Sequence, residues 1–165
     1  MKWNSFYPVL MTKEIQRSKE FYMDYLGYSI SFEADWYVSL INTQTNSELA
    51  LLNTNHESIP KGFDKSVQGL LLNIEVDDVD TIYQKLIVEN KLPVELDIRN
   101  EVFGQRHFII KDPNNILIVN TALGIVHQCG TFVHCMRAKS PPSAKIIVQL
   151  YNLLYTYFMY EFSYK

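Results

Sequence analysis

The chain is poor in several things at once, and each shortage excludes something. Of its 165 residues only two are cysteines, Cys129 and Cys135, so the first 128 residues must fold without a disulfide framework. Glycine and proline occur six times each, too rarely for a low-complexity or collagen-like chain. Lysine and arginine form no run longer than two, and 15 basic residues stand against 18 acidic ones for a net charge of -3. A surface that tracks phosphates needs a basic patch, so nucleic acid is not an expected partner. No apolar run nears the roughly 18 residues of a membrane span, and residues 1–8 lack the apolar core of a signal peptide. The expectation is a cytoplasmic protein with no membrane partner. No Gly-x-Ser-x-Gly elbow and no phosphate-cradling glycine loop occurs, which removes the usual signatures of serine-hydrolase and nucleotide chemistry.

What is present is a globular composition, 47% apolar and 20% charged, with enough apolar side chains for a sizeable core. Tyr7 to Thr12 reads as an apolar opening strand. Over Glu14–Leu26 the apolar Ile15, Phe21, Tyr22, Tyr25 and Leu26 alternate with Gln16, Arg17, Lys19, Glu20 and Asp24 at the spacing of an amphipathic helix. Gly27 stands where a helix ends in a left-handed residue. Strands are predicted at Tyr28–Ala34, Trp36–Thr43 and Glu48–Asn53, with the polar turn Gln44-Thr45-Asn46-Ser47 between the last two. A polar stretch from Thr54 to Gln68, carrying Pro60 and Gly62, reads as a linker or lid loop.

The same order then begins again. Leu70–Val76 is a strand, Val79–Glu89 a helix entered through Asp77-Asp78, and Pro93–Ile98, Gln105–Lys111 and Ile116–Thr121 are strands. Asp112-Pro113-Asn114-Asn115 makes the last tight turn. Ile15 and Val79 open equivalent helices 64 positions apart, so the chain repeats a βαβββ module. The predicted class is α+β, two such modules forming a curved mixed sheet around a shared cavity. Module one spans 5–53 and module two 69–121, within a domain of residues 1–121.

Ile15-Gln16-Arg17-Ser18 with Phe21-Tyr22 and Leu26-Gly27, then Val76-Asp77-Asp78-Val79, then Gly104-Gln105-Arg106-His107-Phe108 with Asp112-Pro113-Asn114 together resemble the vicinal oxygen chelate superfamily. That superfamily includes glyoxalase I, bleomycin-resistance proteins and extradiol dioxygenases. The turn usually ends in glycine in these relatives; here Asn115 stands instead, and asparagine also tolerates the left-handed conformation. In metal-dependent members, four His and Glu ligands project from the first and last strand of each module. Carried over by motif register, those positions fall on Tyr7, Ala50, Leu71 and Val119. Alanine, leucine and valine offer no lone pair to a divalent ion, so the standard metal site is not expected and no cofactor is assigned.

The register rests on alternation, because a slip of one residue exchanges the two faces of a strand. Leu49 and Leu51, like Phe108 and Ile110, suit the helix-packed face. Glu48, Asn73, Glu75, His107 and Lys111 then point to the cavity side. A displaced metal site from His107, Glu75 and Glu48 is the alternative, and His107 and Glu75 are the candidate catalytic acid and base. The bland reading leaves Glu48 and Lys111 in water at strand ends and His107 hydrogen-bonded into the sheet wall. Tyr7, Trp36 and Tyr37 are candidate ligand-contacting rings, although in a chain with 22 Phe, Trp and Tyr residues most rings fill the core. Arg106 is either an anchor for a ligand anion or the structural partner of a nearby acid such as Asp112 or Glu101. With Glu48, Asn73 and His107 these complete the candidate ligand-binding set.

Residues 122–165 change character and lie outside the resemblance. Seven of the last fifteen are aromatic, which suits a cover for an edge strand or a dimer surface. His127, Cys129, His134 and Cys135 match no zinc-knuckle or finger spacing. The resemblance implies a small-molecule-binding protein of the bleomycin-resistance type, acting as a homodimer on a small organic ligand. Its rival is a metal-dependent, glyoxalase-like lyase, isomerase or transferase.

Overall fold

The computed structural model describes residues 1–102 and 104–123. The first module runs β1 (Val9–Thr12), α1 (Ile15–Leu26), β2 (Ser29–Ala34), β3 (Tyr37–Asn42) and β4 (Ser47–Asn53). The second repeats the order with β5 (Leu71–Glu75), α2 (Val79–Tyr83), β6 (Val94–Asn100), β7 (Gln105–Lys111) and β8 (Leu117–Leu123). α2 continues without a break into a wider, π-helical segment, Gln84–Glu89. The two helices begin at Ile15 and Val79, the positions the repeat assigns them. β8 runs two residues past the expected boundary at 121. The aromatic tail and its four His and Cys residues lie outside the described residues.

Each module builds its own four-stranded sheet, ordered β1-β4-β3-β2 and β5-β8-β7-β6. In each, the first strand pairs parallel with the last and the remaining pairings are antiparallel. A parallel neighbour needs a crossover, and the helix of each module supplies it. α1 stops at Gly27, whose φ of 70° is left-handed, while Asn115 takes the same region at φ 61° in the turn before β8. α2 starts at Asp78, whose carboxylate accepts the N–H groups of Asp80 and Thr81 and the Thr81 hydroxyl. Those bonds satisfy amides that the first turn leaves without partners and hold the Asp78 carboxyl below its usual range.

One continuous core forms where the helices cover the sheets. Leu10, Val38, Leu40, Leu49 and Leu51 pack with Phe21 and Tyr22 of α1, and the same cluster takes in Phe108, Ile110 and Ile118 with Val79 and Leu86. The cross-strand partners Val38 with Leu51, Leu40 with Leu49, and Ile110 with Ile118 put these side chains on one face of each sheet.

The two segments that carried the family resemblance meet in space. The Tyr22 hydroxyl donates to Asp112 Oδ2 over 3.1 Å. Asn114 Nδ2 donates to Ser18 Oγ at 2.9 Å, and the Thr12 hydroxyl donates to Asn114 Oδ1. Asp112 also accepts the backbone N–H groups of Asn114 and Ile116 at 2.8 and 2.9 Å. Tyr22, Ser18, Thr12 and Asp112 are all buried. Buried polar groups left unpaired would be costly, so these residues lock the turn before β8 onto β1 and α1. Their role is to join the modules.

Candidate functional site

The strand register fixes what each open face carries. On the first sheet Val9 lies opposite Ala50 and Ala50 opposite Ser39; Glu48 faces Ile41, and Leu52 faces Tyr37 and Met11. Tyr7, two residues before Val9, falls on the same face and is half-buried. Its side chain hydrogen-bonds Tyr37. Burial first, then that hydrogen bond and the charge of Glu48, push the Tyr37 phenol up to about 12. Tyr7, Tyr37 and Glu48 thus form one polar and aromatic group.

Next to it runs a line of rings. Phe32 and Tyr37 lie 6.2 Å apart, Tyr37 and Trp36 5.6 Å, and Trp36 stacks almost parallel on His56 at 3.9 Å. Phe32 is 55% exposed and Trp36 40%. His56 is held by its Nδ1 contact with Ser58 Oγ at 2.8 Å. His56 and Phe32 were not among the sequence candidates. His56 sits in the Thr54–Gln68 stretch, where no periodicity reveals which side chain turns back.

On the second sheet, one set of paired positions runs Glu75, Thr121, His107 and Arg99 across β5, β8, β7 and β6. Asn73 and Val119 form the next set with Ile109, and Leu71, Leu117 and Lys111 the one beyond. His107 Nε2 is 3.4 Å from Glu101 Oε1, which also accepts the Arg99 Nε–H at 2.6 Å. His107 and Thr121 are buried, and neither His107 Nδ1 nor Thr121 Oγ1 has a hydrogen-bond partner. Lys111 is paired with Glu95 at 2.7 Å and is not simply in water.

Arg106 is the structural partner of an acid, though of neither acid named from the sequence. It lies on the same side as Phe108 and Ile110, facing α2, where its Nε and Nη2 grip Asp80 at 2.9 and 2.7 Å and its Nη1 reaches Asn100. Neither Asp112 nor Glu101 is its partner. Asp112 is taken by Tyr22 and Glu101 by Arg99. The fork of a guanidinium matches one carboxylate well, and the Arg106 hydrogen bond in turn holds the Asp80 carboxyl below its usual range. Its donors point to the outer, helix-covered side.

The positions that the resemblance assigns to metal ligands are Tyr7, Ala50, Leu71 and Val119, and three of these side chains are hydrocarbon. Val119 pairs with Asn73 and Leu71 with Leu117, so the strand alternation puts both on the open face. The displaced set is not assembled either. Glu48 stands on the first sheet, His107 and Glu75 on the second, and among the described residues no three His, Cys, Asp or Glu side chains group so as to hold a metal ion. Among the same residues no helix is long and apolar enough to cross a membrane.

Comparison with known proteins agrees with the fold. Residues 6–119 match the family model for the glyoxalase/bleomycin resistance protein/dioxygenase superfamily. A bleomycin resistance protein of Geobacillus stearothermophilus is 24% identical over 119 residues, covering 67% of this chain and 90% of that protein. Among solved structures, a glyoxalase/bleomycin resistance protein/dioxygenase from Nocardioides superposes with a TM-score of 0.61 at 16% identity, over 81% of this chain and 92% of the other. Lactoylglutathione lyase from Agrobacterium tumefaciens gives 0.57 at 16% identity, over 73% and 95%. At such identities the structural likeness speaks for the fold alone.

Proposed function

The chain belongs to the glyoxalase/bleomycin resistance protein/dioxygenase superfamily, and from that premise we propose that it binds a small organic molecule without a metal ion, in the manner its bleomycin-resistance relatives' name suggests. One observation carries the reading: hydrocarbon stands at the ligand positions of the metal-dependent members, while rings and polar groups remain beside them. Phe32, Tyr37 and Trp36 offer flat apolar surface, and Tyr7 and Glu48 supply polar atoms at its edge. Binding sites of this kind combine aromatic walls with a few placed polar groups.

The same reading makes the protein a homodimer. Val9, Leu71 and Leu117 are 42%, 50% and 38% exposed on the sheet faces turned away from the helices. A second copy covering those faces would remove the apolar surface from water and close the ligand site.

A thermal-shift screen of small metabolites and antibiotics, run once with divalent metals and once with chelator, tests the proposal. The expected result is stabilisation by at least one compound, unchanged by chelator and weakened in Trp36→Ala. Stoichiometric divalent metal in protein purified without chelator, lost together with a turnover activity in His107→Ala, would instead establish the metal-dependent lyase, isomerase or transferase.

A further inference from the structure

The second sheet holds a built polar pair that the aromatic site does not use. His107 and Thr121 are direct cross-strand partners on β7 and β8, 8% and 2% exposed, and each keeps one buried polar atom without a partner, Nδ1 and Oγ1. A buried polar group without a hydrogen bond costs free energy, and such groups in a native fold ask for an explanation. Here two of them belong to residues paired directly across β7 and β8. Glu75, at the exposed edge of the same set of paired positions, and Arg99, at the other end, show where that line meets water.

The neighbours decide what the pair can hold. Glu101 Oε1 stands 3.4 Å from His107 Nε2; in the neutral imidazole this favours the tautomer with its proton on Nε2 and leaves the Nδ1 lone pair as an acceptor. The Thr121 hydroxyl both donates and accepts. An acceptor beside a donor complements a group that offers N–H or O–H next to a carbonyl or hydroxyl oxygen. The cations on these strands of the face are occupied: Arg99 by Glu101 at 2.6 Å and Lys111 by Glu95 at 2.7 Å. A carboxylate or phosphate would therefore meet an imidazole lone pair, with the Arg99 and Lys111 cations of those strands already paired.

We propose that His107 Nδ1 and Thr121 Oγ1 form a polar subsite for an uncharged amide or hydroxyl group of the ligand, with Glu101 as the positioning residue that fixes the imidazole tautomer. The inference rests on the small-molecule-binding reading and adds to it the chemistry of the ligand end bound by the second sheet. It also accounts for both unpartnered atoms at once. A primary amide gives its N–H to Nδ1 and takes the threonine proton on its carbonyl.

Benzamide and benzoate, alike in shape and different in charge, are the probes. In the full-length protein with labelled histidine, titration with benzamide shifts the His107 ring signals, and benzoate binds at least about tenfold more weakly. Thr121→Val, close in shape and lacking the hydroxyl, weakens benzamide about tenfold, and Thr121→Ser restores affinity to within about twofold. Nitrogen shifts place the His107 proton on Nε2 in the wild type and distribute it over both nitrogens in Glu101→Ala. Equal binding of the two probes, indifference to Thr121→Val, or a benzamide titration silent at His107 overturns the subsite. Those readouts stand whether or not the metabolite screen yields a binder, whereas an empty screen counts against the function alone.

Discussion

At the scale of single residues, Tyr22 and Tyr37 show how burial turns a phenol into a structural group. Tyr22 is fully buried; burial first, and then the Asp112 carboxylate beside its hydroxyl, push its ionisation far above the usual range. Tyr22→Phe removes one donor from Asp112 and leaves the buried carboxylate with the two backbone amides and the Asn114 side chain. A loss of about 1–3 kcal/mol is expected in urea denaturation, and an unchanged midpoint would mean that the hydrogen bond contributes nothing. Tyr37 predicts a pH effect. A free phenol ionises near 10 and the folded Tyr37 near 12, so the unfolded chain loses this proton first. Its contribution to stability is complete below about pH 10 and disappears as the pH climbs to about 12. Denaturation at stepped pH should show a shallower alkaline decline in Tyr37→Phe than in the wild type, and identical slopes would contradict the half-buried placement of Tyr37 beside Tyr7. The acid that pairs with Arg106 escaped sequence reasoning for a physical reason. Alternation puts Arg106 on the helix side with Phe108, yet which acid it meets depends on how α2 packs over β7, and Asp80 is 26 residues away.

At the scale of elements, the repeat was legible because each module is punctuated locally. Gly27 ends α1, Asp78 caps α2, and Asn115 turns the chain into β8. Gly27 can be tested in isolation, since a Cβ placed there would meet only Asn42 Nδ2 at an ordinary 3.6 Å. Gly27→Ala should therefore cost about 1–2 kcal/mol from left-handed backbone strain alone, and Gly27→Asn less; equal melting temperatures for all three would refute the assignment. The Arg106–Asp80 link between β7 and α2 is a mostly exposed pair, worth about 0–1 kcal/mol. Arg106→Ala is expected to melt within a few degrees of the wild type and to keep full affinity for any compound found in the screen. A large loss of affinity would return Arg106 to the binding site. β6 was foreseen two residues short, ending at Ile98 where the structure carries it to Asn100. That shortfall, together with the bulges that shift its register against β7, hid the alignment of Arg99 and Glu101 with His107. Thr121, by contrast, could have been found from Val119 by counting two residues along the same strand.

At the scale of the whole molecule, the polar lock of Tyr22, Ser18 and Thr12 with Asp112 and Asn114 joins the modules, while the sheet faces opposite the helices keep Val9, Leu71 and Leu117 at the surface. An interface there would place a charge at position 117 in a buried apolar setting. Light scattering coupled to gel filtration should find a dimer for the wild type and a folded monomer for Leu117→Asp; a monomeric wild type would sink the dimer proposal. The sequence by itself determined the α+β class, the order of elements, both helix starts and the left-handed stops, because each is set by residues a few positions apart. Tertiary structure alone decided the partners of Asp112, Asn114, Arg106 and His107, and the stacking of His56 on Trp36. Tyr22 and Asp112 are 90 residues apart and Thr12 and Asn114 102, and no local periodicity encodes a contact that forms only when two separately patterned modules pack together.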